Sequence, residues 1–289
     1  MRLLTSVIAF VIVLGAVTAL VYTGRQNKTG ATNIVAVTVN PIYDLVQQVA
    51  GSDVPVKLIA PAGANPHSFE ARPQDAALIE QSRLIFAIGQ DLDNWIINQA
   101  ASANNRPVVT FGENLDLIVV GDDNSDPHYY LSPKNAQIMV GQIADNLSAY
   151  WPEFTTNFAA RARSYQQQIE DVITAYQPKF AARQLKIATF HNAFAYLARD
   201  FGVDVVTTFE EFPGQSPSPA WLVDFQKKVK ENKLSVVYAE PSFPKSSLEP
   251  VAKDLNLTIA ELDPLENNSR HTDYLSALED NLETLLSQP

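Results

Sequence analysis

Residues 186–202, K-I-A-T-F-H-N-A-F-A-Y-L-A-R-D-F-G, carry the pattern that decides the fold. Residues 187–190 are a short apolar run typical of a buried strand, and the apolar residues after them recur at helical spacing. His191 lies at the turn between the two, at the carboxyl end of the predicted strand. In open α/β sheets this is the end at which ligands bind. The stretch therefore predicts a strand–turn–helix unit with a functional histidine at its turn.

The same alternation of strand and helix patterns continues on both sides of this unit. Predicted strands cover residues 34–39, 54–59, 84–88, 108–111, 187–190, 204–209, 235–239 and 257–262. Residues at helical spacing separate most of these runs, and Pro, Gly, Asn or Asp bounds many of them. Alternating strands and helices predict mostly parallel sheets that are covered by helices. The fold class is therefore α/β.

One helical pattern is much longer than the others. From residue 154 to 180, large apolar residues recur every three or four positions without a break. Residues 154–176 alone would span about 33 Å at 1.5 Å per residue. The pattern separates two blocks of similar size. We predict two α/β lobes, residues 32–150 and 184–289, joined by a connecting helix over residues 151–183 that Pro178 kinks or ends.

The N-terminal segment and the composition indicate an exported protein. A twenty-residue apolar run ends at Tyr22, and residues 1–31 are interpreted as a signal peptide or an uncleaved membrane anchor with a polar spacer. We therefore expect an extracytoplasmic location, in the periplasm or at the outer face of the cytoplasmic membrane. The chain has no cysteine, which excludes disulfides and a lipid anchor on an N-terminal cysteine. The net charge of −11 argues against nucleic acid as a partner.

Three of the four histidines lie in predicted turns beside strands or helix starts. His67 lies in N-P-H-S-F-E, and His128 lies in D-P-H-Y-Y-L-S-P, just ahead of a helix that Ser132 can cap. Together with His191 and with Asp263, which ends the last predicted strand, they would form a suitable set for tetrahedral Zn²⁺. The residues alone leave open whether they share one site or are scattered surface or hydrogen-bonded groups.

Four motifs, which follow one another along the chain, resemble those of a known protein family. The motifs are N-P-H-S-F-E followed by R-P-Q-D, then D-P-H-Y-Y-L-S-P, T-F-H-N-A-F-A-Y-L-A-R-D-F-G and E-L-D-P-L. Together they resemble the metal-binding solute-binding proteins of ABC transporters, the zinc-uptake complex component A family (bacterial solute-binding protein family 9). The resemblance runs from about Asn33 to the C-terminus. It implies His67, His128 and His191 as ligands with Asp263 as the carboxylate, and delivery of the metal to a membrane permease for import. We expect a monomer without enzymatic activity.

Alternatives remain open for the identity of the metal and for the role of the protein. Zinc-type members resemble this chain in having His at the third ligand position, whereas manganese-type members have Glu there; His191 therefore favours Zn²⁺ over Mn²⁺. The histidine-rich loop of many zinc-specific members is reduced here to residues 121–125, so no metal-collecting loop is predicted. A surface adhesin is a further alternative, as is an exported zinc hydrolase, which would need an open metal position and a general base. Glu240 ends a strand and could orient a ligand or form a structural hydrogen bond.

Overall fold

The structure is a computed structural model. It describes residues 33–61, 64–103, 105–112, 114–120, 124–241, 245–266 and 273–287. These residues belong to one compact unit, Asn33–Pro289. The predicted signal or anchor over residues 1–31 and most of the short loop at 121–125 lie outside the described residues. None of the described helices combines the length and the apolar character needed to cross a bilayer.

The first sheet is parallel throughout and has four strands. They are β1 (Ile34–Val37), β2 (Val56–Leu58), β3 (Ser82–Ala87) and β4 (Val108–Thr110), in the order β2-β1-β3-β4. The connections carry α1 (Asn40–Ala50), α2 (Pro73–Gln81) and α3 (Trp95–Ser102). Proline near the start of α1 and of α2 fits the first helical turn, where its missing N–H has no intrahelical partner.

The middle of the chain contains a small hairpin and two long helices. The hairpin pairs β5 (Val119–Val120) with β6 (Asn124–Ser125), and a 3₁₀ turn, Pro127–Leu131, follows it. Helix α4 (Pro133–Tyr150) packs against α5 (Thr155–Ala181). At 27 residues α5 is about 40 Å long, and it continues three residues beyond Pro178 instead of ending there.

The second sheet repeats the strand order of the first. Its parallel strands are β7 (Lys186–Thr189), β8 (Asp204–Thr208), β9 (Val236–Ala239) and β10 (Thr258–Glu261), in the order β10-β9-β7-β8. Its helices are α6 (Ala195–Phe201), α7 (Pro219–Glu231), α8 (Glu249–Asp254) and the C-terminal α9 (Tyr274–Ser287). The loops after β7 and β9 run in opposite directions. Such a switch point is where ligands bind in open α/β sheets.

The largest hydrophobic cluster is shared by both sheets. It contains Val35 and Phe86 from the first sheet and Tyr238 from the second, together with Ile169 of α5 and Leu282 of α9. Each of these side chains is less than 2% exposed. Burying one such side chain stabilises the fold by roughly 1.5–3 kcal/mol. The two sheets are therefore braced by one continuous core, and the strand ends that face each other are held in fixed positions.

Candidate metal centre

Three histidines from distant parts of the chain converge at these strand ends. The Nε2 atom of His128 lies 3.2 Å from Nε2 of His67 and 3.3 Å from Nε2 of His191. A fourth group joins them: Oε1 of Glu266 lies 3.4 Å from Nε2 of His67 and 3.7 Å from Nε2 of His128. The four ligand atoms all lie within 4.8 Å of one another.

The spacing of the four atoms fits a tetrahedral metal ion. Zinc binds histidine nitrogen and carboxylate oxygen at about 2.0–2.2 Å, so ligand atoms at tetrahedral corners lie about 3.3–3.5 Å apart. The four measured separations run from 3.2 to 3.7 Å. Four of the six separations within this cage of four side chains therefore match those around a tetrahedral ion, and all six lie within 4.8 Å.

The structure groups the carboxylate of Glu266 with the three histidines, whereas the sequence analysis predicts Asp263 at this place. Asp263 is buried, but Oδ1 accepts a hydrogen bond from the backbone N–H of Leu265 at 2.8 Å, so its carboxylate folds back onto its own turn. Its backbone N–H donates to Oδ1 of Asn281 at 2.8 Å. The strand-end rule pointed to the first acidic residue after β10. The turn that follows carries the second one, Glu266, into the cage.

Two of the histidines have an acidic partner at the ring nitrogen that faces away from the cage. Nδ1 of His128 lies 2.7 Å from Oδ1 of Asp126, and the same oxygen accepts the backbone N–H of His128 at 2.9 Å. Nδ1 of His191 lies 2.6 Å from Oε1 of Glu240, which is fully buried. Such partners fix the ring orientation and leave Nε2 available to a metal. Glu240 therefore has the orienting position that the sequence left open, and Asp126 has an equivalent one that the sequence did not suggest.

His128 belongs to the first half of the molecule, and residues of the second half contact Asp126, which orients its ring. The backbone oxygen of Asp126 accepts a hydrogen bond from the Tyr196 hydroxyl at 2.8 Å, and Oδ2 accepts one from Asn192 at 3.4 Å. Asp126 also precedes the 3₁₀ turn that carries His128 and accepts the N–H of that residue as a cap. The ring of His128 is thus positioned by both halves of the fold.

The acidic partners change the protonation of the centre. Burial by itself lowers the pKa of the His128 imidazole, but its hydrogen bonds and charge interactions with Asp126 and Glu266 outweigh burial and raise the pKa to about 9. Burial raises the pKa of the Glu266 carboxyl, but hydrogen bonds from His128 and His67 outweigh it and lower that pKa well below its usual range. Without a metal, the negative charge of Glu266 is therefore balanced by an imidazolium.

One cavity leads from the surface to the centre. It has a volume of about 490 Å³ and reaches His67, His128 and His191, and Val120 and Phe212 lie on its walls. The His67 side chain is 15% exposed, whereas those of His128 and His191 are 4% and 1% exposed. An ion entering through this cavity would therefore meet His67 on the solvent side of the cage.

The fold and the centre together point to the class of metal-binding α/β proteins, because two similar parallel sheets accompany a cluster of three histidines and one carboxylate that could hold a metal ion. Residues 35–288 match the family described as "Zinc-uptake complex component A periplasmic". The chain belongs to this family.

Individual relatives agree with this assignment. The zinc-binding lipoprotein AdcA of Streptococcus pneumoniae (strain ATCC BAA-255 / R6) is 28% identical over 283 residues, which cover 90% of this chain and 56% of that protein. The chain thus spans about half the length of the curated relatives it matches. Among solved structures, the laminin-binding adhesin Lmb of Streptococcus agalactiae has a TM-score of 0.80 and 28% identity, covering 88% of this chain and 98% of that chain. A Zn(II)-bound mutant variant of AdcAII from Streptococcus pneumoniae has a TM-score of 0.80 and 27% identity, covering 89% and 98%.

Proposed function

We propose that this protein captures Zn²⁺ outside the cytoplasm and delivers it to the membrane permease of an ABC transporter. The observation that carries the proposal is the cage of His67, His128, His191 and Glu266, whose ligand atoms have the spacing of a tetrahedral ion. The family is named for zinc uptake, and the relative AdcA is named as zinc-binding.

The cage supports binding rather than catalysis. Structural and storage-type zinc sites use four protein ligands, whereas catalytic sites keep one position open for water or substrate. Four protein groups converge here, and each of the four is at least partly buried. An ion held by all four would have no position left for a reacting water. The protein is therefore a binding protein and not an enzyme.

The ligand types favour Zn²⁺ over Mn²⁺. Imidazole nitrogen suits zinc, whereas manganese prefers more oxygen ligands and an octahedral arrangement. The cage offers three nitrogens and one carboxylate. Mn²⁺ remains the alternative ion, and it would need further oxygen ligands to complete its coordination.

The place and the partner follow from the proposed role. The family is described as periplasmic and the relative AdcA is a lipoprotein, which supports an extracytoplasmic location. We propose that residues 1–31 export the chain or anchor it to the membrane, and that it works as a monomer with a permease. The two sheets with their helices would then be the two lobes, residues 32–150 and 184–289, with residues 151–183 connecting them.

Isothermal titration calorimetry on metal-stripped protein tests this function. We expect one Zn²⁺ per chain, and we expect Glu266→Gln to lower the zinc affinity by about 100-fold or more, because even groups outside the ligand set are often worth roughly 10–100-fold. Asp263→Asn is the matched control, since the amide keeps an oxygen for the Leu265 N–H. Absence of zinc binding in the wild type would overturn the proposal, and equal loss in both variants would return Asp263 to the ligand set.

An adhesin role is a second candidate because of the likeness to Lmb, whose name describes it as laminin-binding. The test is direct binding of the full chain to immobilised laminin, with and without Zn²⁺. Saturable binding would establish the second role, and its absence would leave zinc capture alone.

A further inference from the structure

The turn that carries Glu266 has an unfavourable backbone conformation. Leu265 has a φ of 68°, in the left-handed region that leucine rarely adopts. Its side chain is only 8% exposed and packs into the core shared by the two sheets. A conformation of this kind costs free energy and persists only where surrounding contacts hold it. The contacts that hold Leu265 therefore also decide where Glu266 lies.

Three side chains hold this turn. Asn281, on α9, accepts the backbone N–H of Asp263 at 2.8 Å and donates to the backbone oxygen of the same residue at 2.7 Å. Oδ1 of Asp263 accepts the N–H of Leu265 at 2.8 Å. Asn40, the first residue of α1, donates to the backbone oxygen of Leu265 at 2.8 Å. The turn is thus fixed from the C-terminal helix, from within itself and from the first half of the molecule.

The fixed turn presents one oxygen of Glu266 to the cage. Oε1 is the atom near His67 and His128, and the Tyr130 hydroxyl lies 3.4 Å from the same atom. Oε2 is buried and has no hydrogen-bond partner among the described residues. Binding through Oε1 alone, together with three histidine nitrogens, would give a coordination number of four.

We propose that Asn40 and Asn281 are positioning residues that keep Glu266 a one-oxygen ligand and thereby set the preference of the centre for Zn²⁺ over Mn²⁺. The inference rests on the proposed function. If the turn relaxed, Glu266 would bring in its second oxygen or yield its place to water, and the coordination number would rise above four. Zinc in closed sites is tetrahedral, whereas Mn²⁺ prefers octahedral oxygen-rich coordination, so a relaxed turn would favour Mn²⁺.

The test compares metal affinities of Asn281→Ala and Asn40→Ala with those of the wild type. Zn²⁺ and Mn²⁺ affinities are measured by competition with a chelator, and Co²⁺ absorption in the visible range reports the coordination number, since four-coordinate Co²⁺ absorbs much more strongly than six-coordinate Co²⁺. We expect each variant to lower the ratio of zinc to manganese affinity by about tenfold. The Co²⁺ bands should weaken in parallel.

Tyr176→Phe is the matched control. It removes the 2.8 Å hydrogen bond from α5 to Glu283 on α9, so it weakens the attachment of α9 without touching the turn. It should leave the affinity ratio and the Co²⁺ spectrum unchanged. If Asn281→Ala fails to fold, Asn40→Ala decides alone, because Asn40 is only half-buried and contributes one bond to the turn.

The outcomes separate this inference from the function on which it rests. Variants that bind Zn²⁺ and Mn²⁺ in the wild-type ratio, with an unchanged Co²⁺ spectrum, would show that these residues serve only stability and would overturn the inference. Failure of the wild type to bind Zn²⁺ would instead overturn the proposed function.

Discussion

At the scale of single residues, Asp263 and Glu266 show what the sequence can and cannot predict. The convergence of the three histidines could be expected because each follows a strand or precedes a helix start, and such positions meet at one edge in parallel α/β folds. The carboxylate was not predictable in this way. Glu266 reaches the histidines from a turn in which Leu265 has a positive φ, and leucine gives no sign in a sequence that it will adopt one.

The protonation of His128 gives a prediction at the same scale. An unperturbed imidazole titrates near pH 6.5, but Asp126 and Glu266 outweigh burial and raise the pKa of His128 to about 9 in the metal-free protein. Zinc needs the neutral imidazole, so binding at pH 7.5 should release about one proton, and affinity should rise about tenfold per pH unit up to about pH 9. Calorimetry in two buffers of different ionisation enthalpy measures the proton release.

The control for this prediction is Asp126→Asn, which removes the charge beside Nδ1 of His128. Proton release and the pH slope should both decrease in this variant. In the metal-free wild type, the raised pKa also stabilises the fold fully below pH 6.5, and this contribution is lost as the pH rises through about 9. Zinc binding without proton release at pH 7.5 would contradict the raised pKa.

At the scale of elements, the helix cap at Ser132 was predicted correctly, and Ser218 caps α7 in the same way. Ser132 accepts the N–H of Asn135, and Ser218 accepts the N–H of Trp221, as expected for N-caps ahead of Pro133 and Pro219. A 3₁₀ turn, Lys245–Ser247, precedes α8, which begins at Glu249 without a side-chain cap. The β5–β6 hairpin was missed, since two-residue strands are too short to show a periodicity.

The cap at Ser132 has a measurable role. The fully buried hydroxyl accepts the N–H of Asn135 and donates to Asp200 on α6, so it ties α4 to the second half of the fold. We expect Ser132→Ala to lower the free energy of unfolding by about 2 kcal/mol or more, from the lost cap and the buried Asp200 carboxylate. Urea unfolding of the metal-free protein measures it.

The matched control is Ser148→Ala on the same helix, where the hydroxyl donates to the Ala144 carbonyl without capping the helix. It should change the free energy of unfolding by less than about 0.5 kcal/mol. Equal effects in the two serine variants would show that the cap and the Asp200 contact add nothing at Ser132.

At the scale of the whole molecule, the alternation of strands and helices was enough to predict two parallel sheets and a long helix between them. All eight strands predicted for these sheets are present. Six are shorter than their predicted ranges by one to three residues, whereas β3 is one residue longer and β7 has the predicted length but begins one residue earlier. The sequence could not show that the two sheets share one core, since contacts between distant segments leave no local pattern. That shared core bears directly on how a metal is released.

The shared core predicts that zinc binding involves local movement without a wide hinge. Both sheets, α5 and α9 contribute to one buried cluster, and Asn40 and Leu265 join the two halves by a hydrogen bond beside the centre. Opening the halves would expose apolar surface at a cost of roughly 25 cal/mol per Å². We therefore expect the radius of gyration from small-angle X-ray scattering to be the same with and without Zn²⁺. Hydrogen exchange should slow on zinc binding around His67, the most exposed ligand, and remain unchanged along α5. A smaller radius in the zinc-loaded protein would show that the halves close as rigid bodies, and the core would then have to divide between them.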